Sequence, residues 1–167
     1  MSYSAAEISA LATKAARGAG APPEQAARFG RASVVHLAQN RAVEMLTDAL
    51  DALPGGVILW APLAVDRALS SLADDPAGAR VEARGHPALV QSYLEASPHG
   101  IVIERVDTDA FDISVTAAAT GTSVPPVRLS DCDRCIAVMT TLAARTFVPE
   151  SAASRLGGAG AGLTDND

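Results

Sequence analysis

The stretch Ile101-Val102-Ile103-Glu104-Arg105-Val106-Asp107-Thr108-Asp109-Ala110-Phe111-Asp112-Ile113-Ser114-Val115 decides the fold class. Two runs rich in β-branched and aromatic residues alternate apolar with polar positions, the period of a half-buried strand. Only three polar residues separate them. A linker that short joins antiparallel neighbours, because a parallel crossover needs about a dozen residues or more. The reading is a β-hairpin with strands at 101–106 and 110–115.

Upstream of the hairpin the period changes to that of helices. Ser4 and Glu7 form a capping box, Ile8, Leu11, Ala12 and Ala15 a buried stripe, and Gly18 with Gly20 a left-handed stop. Pro22 and Pro23 suit the first turn of a second helix, where a missing N–H costs nothing, and Ala26, Ala27, Phe29, Gly30, Val34 and Leu37 continue its inner side to Asn40. Val43, Leu46, Ala49, Leu50 and Leu53 predict a third helix over 41–53, broken by Pro54-Gly55-Gly56. Beyond that break the apolar run 57–60 reads as a short strand and 62–72 as a helix. The segment 74–78 reads as a loop, 79–83 as a strand and 87–96 as a further helix. After Pro125 and Pro126 an edge strand is expected at 127–129, and Ser130 with Asp133 is expected to cap a long last helix through Arg145.

Helices cluster early and the strongest strand pair comes late, which predicts an α+β fold. Its parts are an N-terminal helical layer, a small, mainly antiparallel sheet and a long C-terminal helix. At 167 residues one domain over 1–167 is expected: a helical layer at 1–53, a mixed strand and helix part at 57–129, the long helix at 130–147 and a glycine-rich tail at 148–167 that docks back on the fold or on a neighbouring subunit. Hydrophobic residues make up 49% of the chain and charged residues 19%, with a mean hydropathy of +0.19, which excludes a disordered polyelectrolyte. A domain this size buries about 70% of its chain surface and needs no disulfide or metal staple. The net charge of −6 argues against nucleic acid and anionic lipid, both of which select a basic face. No charged start followed by an apolar core is visible in the first residues, and the longest apolar runs are about half of what a membrane span needs. The expectation is a cytoplasmic protein outside the membrane. Alanine fills about a fifth of the chain and twelve arginines accompany one lysine, a bias associated with GC-rich bacterial genomes.

Two stretches carry a family resemblance. Lys14-Ala15-Ala16-Arg17-Gly18-Ala19-Gly20 near the start, and Arg145-Thr146-Phe147-Val148-Pro149 leading to Ser154-Arg155-Leu156-Gly157-Gly158-Ala159-Gly160-Ala161-Gly162 and the Asp165-Asn166-Asp167 end, resemble an uncharacterised bacterial domain-of-unknown-function family, number 3726. That family brings no established activity. The first helix, its glycine stop and the restart at Glu24-Gln25-Ala26-Ala27 also resemble the entry hairpin of the malate/L-lactate dehydrogenase-like family, whose Ser-His-Gly motif is absent here.

Catalytic signatures are missing, so candidate chemistry rests on clusters. Cys132 and Cys135 form a lone CxxC at a helix start, where the dipole favours a thiolate. Asp131 and Asp133 oppose that, and no further ligand completes a zinc set. Reduced, buried thiols without metal are expected, and no cofactor. Of the three histidines only His86, before Pro87 at a strand-to-helix junction, is nominated; His36 and His99 are expected to be structural. Lys14 and Arg17 share one helix face at its C-terminal end, which dipole complementarity alone can explain. Successive glycines at 157–162 can form a backbone nest with Arg155 at its rim.

Two functional readings follow. The favoured one is a non-catalytic or accessory domain that self-associates, as a homodimer, through small-residue helix faces and serves a partner enzyme. The alternative is an enzyme or binder for a small anionic ligand, with a site drawn from both ends of the chain: Lys14, Arg17, His86, Arg145, Ser154, Arg155, Gly158, Gly160, Asp165 and Asp167. Convergence of those residues around a hollow would favour the second reading.

Overall fold

A computed structural model describes residues 2–74, 78–115, 128–130 and 132–146. The elements are β1 (Tyr3–Ser4), α1 (Ala5–Gly18), α2 (Pro23–Ala38), α3 (Glu44–Asp51), α4 (Val57–Asp74), β2 (Ala79–Glu82), α5 (Pro87–Glu95), β3 (Ile101–Asp107), β4 (Ala110–Val115), β5 (Arg128–Leu129) and α6 (Asp133–Ala143), with a 3-10 turn, Ala144–Thr146, continuing α6. The class is α+β, as the order of periods implied.

The hairpin forms as read. β4 is the central strand of a three-stranded antiparallel sheet ordered β2-β4-β3, in the register Ile103↔Ile113 and Val81↔Phe111. Strand alternation sends Val81, Phe111 and Ile113 into the core, where α4 and α5 cover the sheet. On the other face Arg80 reaches Asp112 at 3.4 Å. The hairpin turn is tied to the strand before α5: the Ala83 N–H donates to the Asp109 carbonyl at 2.7 Å, and the Gly85 N–H to its carboxylate at 2.6 Å. A second, two-stranded sheet pairs β1 with β5 antiparallel, Tyr3 opposite Leu129.

α1 lies between α2 and α6. Its capping box is present, with the Glu7 N–H donating to Ser4 Oγ and the Ser4 N–H returning to Glu7 Oε2 at 2.7 Å. Ile8, Ala12, Ala15 and Ala16 are its buried face. Many alanines of the helical layer, Ala26 and Ala32 among them, are buried by packing within the chain, whereas Ala6 and Ala10 are exposed. Gly20, at φ +103°, makes the left-handed stop, whereas Gly18 is helical and has another use: a Cβ there would sit inside the Leu142 carbonyl of α6. Gly30 of α2 does the same for the other neighbour, since its Cβ would collide with Thr13 Oγ1 and stand 2.6 Å from the Ser9 carbonyl. Two glycines thus set the distances at which α1 meets its partners.

Five expectations are corrected. Residues 57–60 are not a strand but the start of α4, which runs unbroken with Pro62 inside it and extends through Asp74, where a loop was expected. Its buried positions, Val57, Ile58, Ala61, Pro62, Val65, Ala68 and Leu72, follow a helical period, and a four-residue apolar run is too short to reveal which period it belongs to. Burial on that face outweighs the hydrogen bond Pro62 cannot make. The third helix begins at Glu44 rather than 41 because Asn40 adopts φ +51° and Arg41 leaves the helical path to bind α5. Finally, α6 is capped by Cys132 without a side-chain hydrogen bond, not by Ser130 with Asp133, and α-helical geometry ends at Ala143. The leucine at position 53 precedes a cis peptide to Pro54.

Candidate functional site

α1 carries Thr13, Lys14, Arg17 and Gly18 on one face by the i, i+4 rule, and the turn after α6 carries Arg145 and Thr146. Because Gly18 lets α1 and α6 touch at their C-terminal ends, these six residues line one shallow hollow of about 310 Å³. Lys14, Arg17 and Arg145 are all exposed at its rim, and no carboxylate is among its described lining residues. Arg17 is anchored by donating from Nη1 to the Ala21 carbonyl at 3.0 Å. The hydroxyls of Thr13 and Thr146 donate back to the Ser9 and Ala143 carbonyls, so each turns lone pairs rather than its proton outward. The carbonyl ends of two helices meet here, which holds positive side chains in place.

Three nominated residues, Lys14, Arg17 and Arg145, therefore come together. His86 does not join them. It is the exposed N-cap residue of α5, its ring centroid 6.3 Å from that of Trp60, over which the Arg84 guanidinium lies at 5.1 Å. Ser154, Arg155, Gly158, Gly160, Asp165 and Asp167 lie outside the described residues.

Of the remaining sequence candidates, His36 and the two cysteines are structural, whereas His99 lines a different hollow. His36 is wholly buried in α2. Its Nε2 faces the Ala42 carbonyl at 2.9 Å and must donate, and Nδ1 lies 3.0 Å from Ser92 Oγ, whose hydroxyl also reaches the Ala88 carbonyl at 2.8 Å. Burial, assisted by the nearby Arg41, holds the imidazole below its usual range and keeps it neutral, although the Ala42 carbonyl and Glu95 pull the other way. Arg41 donates to Ser92 Oγ and to Glu95 Oε1, both at 2.7 Å, so the network ties α5 to the link between α2 and α3. Cys132 and Cys135 are buried and not joined by a disulfide; burial pushes the Cys135 thiol up to about 12, with smaller contributions from Cys132 and Glu44. A thiolate at the helix start is disfavoured there. Among the described residues no group of three His, Cys, Asp or Glu side chains is placed to hold a metal ion.

A second hollow, of about 190 Å³, was missed by the sequence reading. It lies between α2, α4, α5 and the turn after α5, walled by Glu24, Arg28 and Arg31, by Asp66 and Leu69, and by Tyr93 with the segment 96–99. Arg28 Nη1 meets Asp66 Oδ1 at 2.6 Å. The spacing of Glu24, Arg28 and Arg31 on one face of α2 was the available signal.

No family model, curated protein or solved structure matches the chain. Among the described residues no helix is long and apolar enough to cross a membrane.

Proposed function

We propose that the protein binds a small anionic ligand in the hollow between α1 and the turn after α6, and that its role is binding rather than catalysis. The observation behind this reading is that Lys14, Arg17 and Arg145, brought from opposite ends of the described chain, line one hollow with no carboxylate among its described walls. In a chain of net charge −6 such a concentration of positive charge is local, and it raises the concentration of anions at that spot. Guanidinium groups bind carboxylate and phosphate oxygens in a fixed fork, and the ammonium adds a point charge. Calorimetry with inorganic phosphate at low salt tests the proposal: saturable binding that weakens several-fold in Arg145→Gln and in Lys14→Gln supports it. Heats that do not saturate, or that both variants leave unchanged, refute it.

A homodimer serving a partner enzyme is the second reading. It draws support from Val102 and Val115, which are 39% and 45% exposed on the β3–β4 hairpin, with β3 an outer strand of the sheet. Light scattering on the full chain at tens of micromolar distinguishes a 34 kDa particle, roughly twice the chain mass, from one of 17.0 kDa.

A further inference from the structure

Tyr93 of α5 is 3% exposed, and its hydroxyl has no hydrogen-bond partner among the described residues. A buried hydroxyl left unpaired is costly, and a phenylalanine of the same shape would fill this place without that cost. Tyr93 forms part of the wall of the second hollow with its hydroxyl oxygen sealed from solvent, close enough to Arg28 for that charge to act against the effect of burial. Burial still dominates and pushes the phenol far above the ordinary tyrosine range, so it stays protonated and able to donate.

The charges around it are balanced. Arg28 is engaged by Asp66, while Arg31 and Glu24, placed three residues after and four before Arg28 on the same helix face, have no ion-pair partner among the described residues. A multiply charged anion entering here would face two carboxylates, and a cation alone would face two guanidinium groups. A ligand carrying one charge of each sign meets neither penalty. Leu69, Ala96 and Pro98 supply apolar wall for a short side chain, and about 190 Å³ restricts the ligand to the size of a small metabolite.

We propose that this hollow binds a free amino acid of small side chain, its carboxylate on Arg31 and the Tyr93 hydroxyl and its ammonium on Glu24. The site is separate from the basic hollow at α1 and does not depend on phosphate binding there. The pairing uses the two charges of the hollow that have no ion-pair partner among the described residues, beside the Tyr93 hydroxyl, and it leaves the Arg28 to Asp66 bridge in place; His99 also lines the hollow.

The experiment is an NMR titration of the full chain with glycine, L-alanine and L-serine as probes, and with acetate, methylamine and inorganic phosphate as partial mimics. Thermal melts of Tyr93→Phe and Arg31→Gln accompany it. The expected result is saturable shifts from at least one amino acid at residues 24–31 and 93–99. Binding should be about tenfold or more weaker in each variant, as the loss of a hydrogen bond to a charged group implies. Acetate and methylamine should bind more weakly than the amino acid, and phosphate should leave these residues unshifted. Tyr93→Phe should melt at the wild-type temperature or above, which a hydroxyl with a purely structural bond would not allow. The proposal is overturned if none of the three amino acids saturates, if binding is indifferent to Tyr93→Phe, if phosphate competes at these residues, or if Tyr93→Phe lowers the melting temperature.

Discussion

His36 Nδ1 lies 3.0 Å from Ser92 Oγ, a polar contact that links the packed interiors of α2 and α5 through a neutral imidazole. The folded chain binds that proton less readily than the unfolded chain, whose histidine titrates near the usual 6.5. The stabilisation from keeping the ring neutral is complete above about pH 6.5 and is lost progressively as the pH falls below it. The stability gap between wild type and His36→Gln, measured by urea melts, should therefore narrow from pH 7.5 to pH 5, because the variant has no imidazole to protonate. A gap independent of pH would show that the ring is not held neutral by burial.

Gly18→Ala should be strongly destabilising for a single methyl group. Its Cβ would overlap the Leu142 carbonyl, which is backbone and cannot rotate away, so α1 and α6 must separate. Overpacking of this kind costs about 1–3 kcal/mol, several degrees in Tm for a domain of this size. Phosphate affinity at the Lys14, Arg17 and Arg145 hollow should fall with it, since Arg145 would move off α1. The control, Gly85→Ala, places its Cβ in open space and should show only the smaller strain of its positive φ.

Ser4→Ala removes the hydroxyl that accepts from the Glu7 N–H. The loss expected is about 1 kcal/mol, the usual value for an N-cap. Glu7 is held below the ordinary carboxylate range by its hydrogen bonds to the Ser4 backbone and hydroxyl, so NMR titration should find its pKa raised in the variant.

Cys135 should be inert in the native state. With the thiol pushed up to about 12 by burial, the fraction ionised at pH 8 is negligible. Ellman's reagent should label it only at the rate of unfolding, whereas rapid labelling of both cysteines would place the thiols in solvent.

What was legible in the sequence was local. The capping box at Ser4 and Glu7, the two prolines opening α2 and the alternation through 101–115 each state their structure within a few residues, and each is found. Residues 57–60 misled because a short apolar run fits a buried strand and a buried helix equally, and Pro62 suggested a boundary that burial overrode. Gly18 was read as punctuation, yet its requirement comes from Leu142, far away in the chain. The same distance explains the two hollows. Lys14 and Arg17 could be seen to share a face, but their meeting with Arg145 depends on how α6 packs. Tyr93, Arg28 and Asp66 lie on three different helices and acquire meaning only when those helices meet.

The close approach of Gly18 to Leu142 also bears on how the polypeptide matures on the ribosome. Ile8, Ala12, Ala15 and Ala16 are made first, but one of the two helices that shelter α1 emerges only after residue 143 has been polymerised. At roughly 5–20 residues per second the nascent chain spends many seconds with part of that apolar flank unsheltered. The burial of α1 is therefore completed only once α6 has emerged, and a stalled or truncated chain that lacks α6 presents a sticky helix to chaperones and proteases rather than a smaller version of the finished protein.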